Sequence, residues 1–449
     1  MIPLRLKEIS AVLGAVCSED KQILSICTDT RKITQGSLFV ALVGERFDGH
    51  DFVDAAFEKG AVAAVCSKSV DTDGEILTVE NTGVALLEIA AYYRSLFSIP
   101  FVGITGSVGK TTTKEMVYAV LSEKFNTLKN EGNLNNEIGL PTTVFRLDSD
   151  YEAAILEMGM SAFGEISRLA KVAQPHVGII TKIGVSHIEH LGSREGILKA
   201  KLEILDGLKP NAPLIVNGDD DLLSTVVLDD RKVITFGIEN EKCDYRAVNI
   251  EQSGYNTCFT VVYDGGEQDV TIPTVGTHNV YNALSAFAAG MYLGVTSESA
   301  ALGLSKYVTS GMRQNVREIN GITVIEDCYN ASPDSVRAAA EVLSTMKANT
   351  KALVFGDMLE LGEISEQAHR EVGALVASKG IDRFYTYGEM ASLAAKAAEE
   401  NGMKFVKAFD DKAALAQQLK ADLNEGDAVL FKASRGMKLE EVISIFAER

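Results

Sequence analysis

The apolar residues of this chain fall into short runs that alternate with helical patterns over most of its length. Runs rich in Val, Ile and Ala, at 61–66, 101–104, 153–158 and 177–183, have the length and composition of buried strands. Between the runs, apolar residues recur at helical spacing. Residues 232–275 alternate more regularly and predict antiparallel strands. The pattern as a whole predicts an α/β fold in which crossover helices connect parallel strands.

Two interruptions of this pattern divide the chain into three predicted domains, a number that also suits its length of 449 residues. The first interruption follows residue 98, and the second lies at Ser310–Asn315. We predict a small N-terminal α/β domain at 1–98. A central domain at 99–312 is expected to have a parallel sheet like that of phosphate-loop nucleotide hydrolases. The C-terminal domain at 313–449 is expected to be doubly wound and Rossmann-like.

The composition narrows the class of protein. Apolar residues make up 46% of the chain and charged residues 23%, with a formal net charge of −19. This charge argues against nucleic acid as a partner, although a local site for a small anion stays possible. No apolar run approaches the ~18 residues of a membrane span. The six cysteines show no metal-ligand spacing. We therefore expect a soluble cytoplasmic protein with reduced thiols. A monomer is expected as well, although the composition does not indicate the oligomeric state.

The stretch "ITGSVGKTTT" follows the strand at 101–104 and precedes a helical pattern. It departs from the common phosphate-loop pattern because Ile104 stands where the first glycine is expected. A phosphate loop nevertheless requires only a strand, a tight glycine turn, Gly-Lys-Thr and a helix, and all four occur in order. The alternative is a strand-to-helix turn with a solvated lysine. The predicted nucleotide-binding residues are Thr105, Gly106, Ser107, Val108, Gly109, Lys110, Thr111 and Thr112.

Glu157 ends the apolar run at 153–158, in the position where phosphate-loop enzymes carry a metal-binding carboxylate. A carboxylate at the end of a strand is common and carries little weight alone. Together with the hydroxyl of Thr111, it predicts a Mg²⁺ site.

Lys201 occupies an unusual place in the helical pattern at 193–208. The residues three and four positions away on either side are all apolar: Ile197, Leu198, Ile204 and Leu205. Such a lysine either extends to the rim of the apolar face or is drawn toward its neutral form. A neutral amine can react with CO₂ to give a carbamate that binds metal. His187 and His190 lie upstream in a glycine-flanked loop, where we expect His187 near the metal and His190 at the surface.

These residues together resemble the Mur ligase family, the ATP-dependent amide-bond synthetases of peptidoglycan assembly. "ITGSVGKTTTKEM" resembles the family's variant loop T-G-x-x-G-K-T-T, and "GTHNVYNALSAFAAG" resembles its H-N-x-x-N helix. The resemblance implies that Lys110, Glu157, His187 and carbamylated Lys201 are catalytic, with Thr111, Glu157, His187 and Lys201 holding two Mg²⁺ ions. It further implies nucleotide contacts from Asn279, Asn282, Arg313 and Asp327.

Four longer blocks resemble the branch of the family that adds a dipeptide, D-alanyl-D-alanine, to UDP-N-acetylmuramoyl-tripeptide. They lie at 28–52, 135–141, 327–335 and 354–363. The resemblance implies substrate contacts from Thr30, Arg31, Gly44, Arg46, Asn135, Asn136, Tyr329, Asn330, Lys432 and Ser434.

Branches that add a diamino acid carry Y-A-H-x-P where this chain has Tyr329–Pro333, and a D-N-P-R motif that is absent here. Both departures argue against that activity. Ala433 stands where much of the family is expected to have glycine, so the dipeptide contacts around it are the weakest part of the resemblance.

The implied reaction converts the tripeptide's terminal carboxylate to an acyl phosphate at the expense of ATP. The amine of the dipeptide then displaces phosphate, and ADP is the second product. Binding by three domains implies closure around Ser310–Asn315.

Two alternatives stay open. One is a family member that adds another amino acid, and the other is a phosphate-loop protein that binds nucleotide without ligating.

Overall fold

The computed structural model describes residues 1–309 and 311–448, so Ser310 of the predicted hinge lies outside the described residues. The strands form a two-stranded, a four-stranded, a nine-stranded and a six-stranded sheet. We call the last three the N-terminal, central and C-terminal sheets. Each lies within one of the three predicted segments, and the domain limits themselves stay predictions. The predicted α/β class with mainly parallel sheets is confirmed.

The N-terminal sheet has the order β3-β4-β5-β6 and is parallel throughout. A separate antiparallel pair, β1-β2, precedes it. The elements are β1 (Leu4–Arg5), α1 (Leu6–Val12), β2 (Gln22–Ile23), β3 (Ser25–Cys27), β4 (Ser37–Val40), α2 (Val53–Glu58), β5 (Ala61–Cys66), β6 (Ile76–Thr78) and α3 (Thr82–Ser95), with 3₁₀ turns at Thr30–Lys32 and Gly49–Phe52.

The central sheet has the order β15-β14-β13-β12-β11-β10-β7-β9-β8. Its elements are β7 (Phe101–Thr105), α4 (Lys110–Leu121), β8 (Thr127–Lys129), α5 (Gly139–Val144), β9 (Ala153–Glu157), α6 (Glu165–Ala173), β10 (Val177–Ile180), α7 (Ile188–Leu191), α8 (Arg194–Leu202), β11 (Leu214–Asn217), β12 (Val233–Gly237), β13 (Tyr245–Ser253), β14 (Asn256–Tyr263), β15 (Gly266–Ile272), α9 (Thr277–Tyr292) and α10 (Ser297–Ser305), with 3₁₀ turns at Glu203–Asp206 and Leu223–Thr225.

The middle strands β7, β9, β10 and β11 are buried along their whole length, as expected when helices cover both faces of a parallel sheet. The antiparallel prediction for 232–275 is wrong for β12, which pairs in parallel with β11 and β13. In β12, buried and partly exposed residues alternate, so its sequence pattern resembles that of an antiparallel strand. The antiparallel part is limited to β13, β14 and β15.

The C-terminal sheet has the order β16-β17-β21-β18-β19-β20, and only β16 runs antiparallel to its neighbour. Its elements are β16 (Asn315–Ile319), β17 (Ile322–Asp327), α11 (Pro333–Thr345), β18 (Lys351–Gly356), α12 (Ser365–Ser378), β19 (Arg383–Tyr387), α13 (Glu389–Glu400), β20 (Val406–Phe409), α14 (Lys412–Asp422), β21 (Ala428–Lys432) and α15 (Glu440–Ala447), with 3₁₀ turns at Gly362–Ile364 and Arg435–Met437.

Helix α3 joins the N-terminal sheet to the central one through buried contacts. The hydroxyl of Tyr93 donates to the carbonyl of Leu147 at 2.6 Å, and the Arg94 guanidinium donates to the carbonyl of Ala173 at 2.7 Å. The same guanidinium lies 3.8 Å from the centre of the Phe101 ring. The apolar residues around these contacts form one core with residues from both sheets. Across the described part of the chain, no helix is long and apolar enough to span a membrane.

Candidate nucleotide site

The phosphate loop lies at the carboxyl edge of the central sheet. Strand β7 pairs with β9 and β10 such that Ile104 is opposite Glu157 and Thr105 is opposite Ile180. The three strands therefore end side by side, at the edge where open α/β sheets bind ligands.

Two glycines shape the loop. Gly106 has φ 150°, and a β-carbon there would lie 1.9 Å from the hydroxyl oxygen of Thr181. Gly109 has φ 89°, and a β-carbon there would lie 2.6 Å from Oδ1 of Asn282. Glycine is therefore required at both positions, by backbone conformation and by space. Helix α4 begins directly afterwards at Lys110, so its free backbone N–H groups point into the loop.

The side chains of the loop face different surroundings. The hydroxyl of Ser107 is buried and has no hydrogen-bond partner among the described residues. Lys110 donates to the carbonyl of Gly106 at 2.7 Å. Burial lowers the pKa of Lys110, an effect that nearby Glu157 opposes. The hydroxyl of Thr105 donates to the carbonyl of Met158 at 3.0 Å, so this side chain is turned toward β9.

Thr111 and Glu157 meet below the loop. The Thr111 hydroxyl donates to Oε2 of Glu157 at 2.9 Å, and Nδ2 of Asn135 donates to Oε1 at 2.9 Å. Thr111 and Glu157 are both buried. Asn135, which was predicted to contact substrate, thus contacts the predicted metal carboxylate. Oδ1 of Asn136 instead accepts from the backbone N–H of Gly139, the first residue of α5, at 2.8 Å.

Lys201, in helix α8, is only 2% exposed. No residue at 1–309 or 311–448 accepts a hydrogen bond from its ammonium nitrogen or pairs with it. Burial, and secondarily the charge of Lys110, holds the pKa of Lys201 well below its usual value. An amine in this setting is drawn toward its neutral, nucleophilic form.

His187 precedes α7 and has a left-handed backbone, with φ 63°. Burial first, then the charges of Lys110 and Lys201, lowers the pKa of His187 to about 4. Its Nδ1 lies 3.0 Å from Oε2 of Glu360, and the low pKa makes this a contact of a neutral ring with a carboxylate. His190 has a half-exposed side chain, which confirms its predicted surface position.

A cavity of about 440 Å³ lies between the central and C-terminal sheets. The predicted nucleotide-binding residues in its wall are Ser107, Val108, Gly109, Lys110, Thr111, Thr112, Asn279, Asn282, Arg313 and Asp327. The predicted substrate residues in the same wall are Tyr329, Asn330 and Lys432. Among the described residues, Thr105, Gly106, Glu157, His187 and Lys201 do not line it.

On the central side of the cavity, Asn279 and Asn282 are buried in a chain of hydrogen bonds. Nδ2 of Asn282 donates to Oδ1 of Asn279 at 3.2 Å, and the Thr113 hydroxyl donates to Oδ1 of Asn282 at 3.2 Å. Nδ2 of Asn279 donates to Oε1 of Gln314 at 2.9 Å. Gln314 belongs to the segment leading to β16, so these amides link α9 to the predicted hinge.

On the C-terminal side, the Arg313 guanidinium lies 4.4 Å from the centre of the Tyr329 ring. Lys432 is buried, lies 2.9 Å from the Asp327 carboxylate and donates to the carbonyl of Asn330 at 2.7 Å. Asp327, predicted to contact the nucleotide, and Lys432, predicted to contact the substrate, therefore form an ion pair in this conformation.

The remaining predicted substrate residues lie outside this wall. Arg31, beside Thr30, has a side chain that is 85% exposed and pairs with Asp29 at 2.8 Å. The backbone of Gly44 donates to the carbonyl of Phe47 at 2.9 Å, next to exposed Arg46. Ser434 is buried, and its hydroxyl accepts from the backbone N–H of Leu359 at 2.9 Å.

Family models match three consecutive parts of the chain. The matches are a Mur ligase family catalytic domain at 22–98, a Mur ligase middle domain at 104–290 and a Mur ligase glutamate ligase domain at 312–435. The Bacillus subtilis protein named UDP-N-acetylmuramoyl-tripeptide–D-alanyl-D-alanine ligase is 44% identical over 96% of this chain and 94% of its own. The chain belongs to the Mur ligase family.

Further similarity extends over the whole length of this Mur ligase. The Escherichia coli protein of the same name is 37% identical over 100% of this chain and 99% of its own. A crystal structure of MurF from Acinetobacter baumannii matches with a TM-score of 0.94 at 32% identity, covering 100% of both chains. MurF ligase from Thermotoga maritima, in complex with ADP, matches with a TM-score of 0.85 at 33% identity, over 94% of this chain and 97% of that chain.

The described residues fit a Mg²⁺–nucleotide complex at the loop. Among them, no group of three His, Cys, Asp or Glu side chains could hold a metal. Mg²⁺ does not need such a group, because it commonly takes one or two protein ligands together with substrate phosphates and waters. The Thr111–Glu157 pair supplies such ligands, and the unpartnered Ser107 hydroxyl suits a phosphate oxygen.

Four further residues were not predicted. Lys182 lies 3.2 Å from Asp334 across the cavity, and both line it. Lys114 and Asn130 are buried beside Glu157. The sequence offers a weak signal for two of them, since Lys182 follows β10 and Asp334 opens α11. Lys114 and Asn130 have none, because their contacts join elements distant in sequence.

Proposed function

We propose that this Mur ligase joins D-alanyl-D-alanine to UDP-N-acetylmuramoyl-tripeptide in peptidoglycan precursor synthesis, with conversion of ATP to ADP and phosphate. The observation that carries the proposal is the 44% identity with the Bacillus subtilis ligase of that name over nearly the full length of both chains. The site geometry supports an ATP-dependent reaction, because a phosphate loop opens into a cavity closed by a second sheet.

ATP is proposed to bind with its phosphates at Thr105–Thr112 and its base near Asn279 and Asn282. The loop's backbone N–H groups and Lys110 face the phosphates, and Lys110 offsets charge on the transferring phosphoryl group. Arg313 and Asp327 approach from the C-terminal sheet. The ADP bound by the Thermotoga maritima relative supports this assignment.

Thr111 and Glu157 are proposed to hold one Mg²⁺, and Glu157, His187 and Lys201 a second. When bound, Mg²⁺ polarises phosphoryl oxygens and neutralises their charge. The low pKa of His187 supports its part, since a neutral imidazole is the form that binds metal.

Lys201 is proposed to carry a carbamate. Its neutral amine nitrogen bonds to the carbon of CO₂ and releases one proton, which leaves an anionic oxygen donor. The buried amine without an acceptor supports this step. Lys201→Ala should abolish ligation and be partly rescued by a short carboxylic acid. Exposed Lys199→Ala is the matched control and should turn over normally. Full activity of Lys201→Ala would contradict the assignment.

The substrate contacts are proposed in two groups. Thr30, Arg31, Gly44 and Arg46 would bind the UDP-muramoyl end, and Asn135 and Asn136 the substrate near Glu157. Tyr329, Asn330, Lys432 and Ser434 would face the dipeptide. Since Lys432 is paired with Asp327 here, we propose that this pair rearranges when ligands bind.

We further propose a cytoplasmic monomer with domains at 1–98, 99–312 and 313–449 that closes about the segment 310–315. Compaction in solution scattering upon addition of ATP and both substrates tests the closure. Light scattering at the mass of one chain tests the monomer.

The experiment that tests the function is ADP release with UDP-N-acetylmuramoyl-tripeptide, measured with and without D-alanyl-D-alanine. Continued release over many turnovers is expected only when the dipeptide is present, because without it the reaction stops at the acyl phosphate. Turnover with a free diamino acid in place of the dipeptide would overturn the proposal.

A further inference from the structure

Helix α4 carries a buried lysine, Lys114, one turn after Thr111. It is 1% exposed and therefore lies on the same buried face of the helix as Thr111. Lysine is rarely buried to this extent unless it is paired. The phosphate-loop mechanism described above does not use this lysine.

The ammonium nitrogen of Lys114 is directed toward the predicted metal carboxylate. It donates to the carbonyl of Asn130 at 2.8 Å and lies 3.3 Å from Oε1 of Glu115. It also lies 3.8 Å from Oε2 of Glu157, the same oxygen that accepts from Thr111. Lys114 and Thr111 therefore lie beside the same oxygen of the Glu157 carboxylate.

Asn130 holds the backbone of Glu157. Its Oδ1 accepts from the N–H of Glu157 at 3.0 Å, and its Nδ2 donates to the carbonyl of Glu157 at 3.1 Å. Asn130 follows directly after β8, whose last residue pairs with Ile155 of β9. Its fully buried side chain therefore continues the ladder by bonding both peptide groups of Glu157.

These contacts hold Glu157 at both its backbone and its carboxylate. Asn130 fixes the backbone, while Thr111, Asn135 and Lys114 surround the two carboxylate oxygens. A buried ion pair is an inefficient way to stabilise a fold, because apolar residues of similar volume often serve equally well. Groups that orient a metal ligand, in contrast, strongly affect metal binding.

We propose that Lys114 and Asn130 are positioning residues that hold the Glu157 carboxylate against Thr111 in the geometry that accepts a metal–nucleotide complex. The effect on ligation rests on the proposed function. The effect on the binding of nucleotide and Mg²⁺ does not. Lys114 touches neither substrate nor nucleotide in this role and acts through Glu157.

The test compares Lys114→Met and Lys114→Arg with Lys129→Met. Lys129 is the matched control because it pairs with Glu115 in the same cluster but does not reach Glu157. Calorimetry measures ADP binding with Mg²⁺ and with a chelator. Lys114→Met should weaken the Mg²⁺-dependent binding about 10–100-fold, the usual effect of removing a partner of a metal ligand. Binding without metal should be unchanged, and Lys114→Arg should recover part of the loss.

In turnover, Lys114→Met should lower kcat while the KM for the tripeptide stays near that of the wild type. Unchanged Mg²⁺-dependent binding in a folded Lys114→Met would overturn the inference, as would equal losses with and without metal. If Lys114→Met does not fold, Asn130→Asp, which removes the donor to the Glu157 carbonyl, decides by the same measurement. Failure of both to fold would assign the pair a structural role. A wild-type chain that binds Mg²⁺–ADP but does not ligate overturns only the proposed function.

Discussion

The N-terminal and C-terminal sheets meet the central sheet through different kinds of surface. On the N-terminal side, Tyr93 and Arg94 are buried, bonded to backbone carbonyls and surrounded by a shared apolar core. On the C-terminal side, the contacts include the pairs Lys182–Asp334 and His187–Glu360, with side chains that are partly exposed. Val185 adds an apolar contact to the C-terminal core.

This difference indicates that the boundary between the central and C-terminal sheets separates more easily than the boundary between the N-terminal and central sheets. A shared core resists separation because opening it exposes apolar surface and leaves buried polar groups unpaired. The partly exposed ion pair Lys182–Asp334 exchanges readily for water, as does the contact of the neutral His187 ring with the exposed Glu360 carboxylate. The cavity that contains the phosphate loop lies at the second boundary, and the partly exposed Lys182–Asp334 pair lies in its wall. The contacts therefore favour motion at the C-terminal boundary over motion at the N-terminal boundary.

The largest expected effect is at the rigid boundary. Arg94→Ala removes donors to the carbonyls of Ala173, Phe97 and Gln174, and the guanidinium that covers Phe101. Hydrogen bonds from charged groups contribute about 1.5–3 kcal/mol each, so we expect a loss of about 3 kcal/mol or more in the free energy of unfolding. The denaturant midpoint measures it.

Arg370→Ala is the matched control, because Arg370 is a partly exposed arginine paired with Glu366 one turn away. Its effect should stay within about 0.5 kcal/mol. Equal losses from both substitutions would contradict the view that burial makes the N-terminal boundary rigid.

A second, smaller effect at the same boundary depends on pH. The Tyr93 hydroxyl donates to Leu147 and accepts from the backbone N–H of Ile2, so Tyr93→Phe should cost about 1–3 kcal/mol at neutral pH. Burial raises the pKa of Tyr93 to about 12 in the folded chain. Between about pH 10 and 12 the unfolded chain ionises and the folded one does not, so stability from this group falls as pH rises.

The stability difference between the wild type and Tyr93→Phe should therefore shrink across that window. Groups common to both chains cancel in the difference. Tyr255→Phe, at a half-exposed tyrosine, provides the control and should change the free energy of unfolding by less than about 0.5 kcal/mol. If the stability difference between the wild type and Tyr93→Phe stays constant over this pH range, the Tyr93 hydroxyl is not shielded from solvent in the folded chain.

The fold class could be predicted from the sequence because the spacing of apolar residues along the chain indicates which positions are buried. Strands β7, β9 and β10 of the central sheet were predicted from continuous apolar runs, whereas β8 and β11 were not predicted. Lys201 was singled out because its helical neighbours are apolar. The predicted helix at 193–208 was too long: α8 ends at Leu202 and continues as a 3₁₀ turn at Glu203–Asp206. There the carboxylate of Glu203 accepts from the backbone N–H of Gly164, a contact from a distant segment.

The parts of the site that sequence did not predict depend on long-range contacts. Glu157 was predicted from its place at a strand end, but its partners Lys114 and Asn130 come from helix α4 and from the residue after β8. The contact of His187 with Glu360 joins residues of the central and C-terminal regions. Local patterns carry no information about such pairs, since they depend on how the elements pack.

The smallest energetic effect, and the sharpest test of the mobile boundary, concerns Lys182. Its pair with Asp334 is partly exposed, so Lys182→Met should change the free energy of unfolding by less than about 1 kcal/mol. In the absence of ligands, the same substitution should increase the radius of gyration. Salt at about 1 M should have the same effect on the wild type, because the Debye length falls to about 3 Å and the ion pair is screened. Lys306→Met is the control, because it breaks an exposed pair with Glu123 inside the central region and should leave the radius unchanged. If Lys182→Met and salt both leave the radius of gyration unchanged, apolar contacts such as that of Val185 hold this boundary closed.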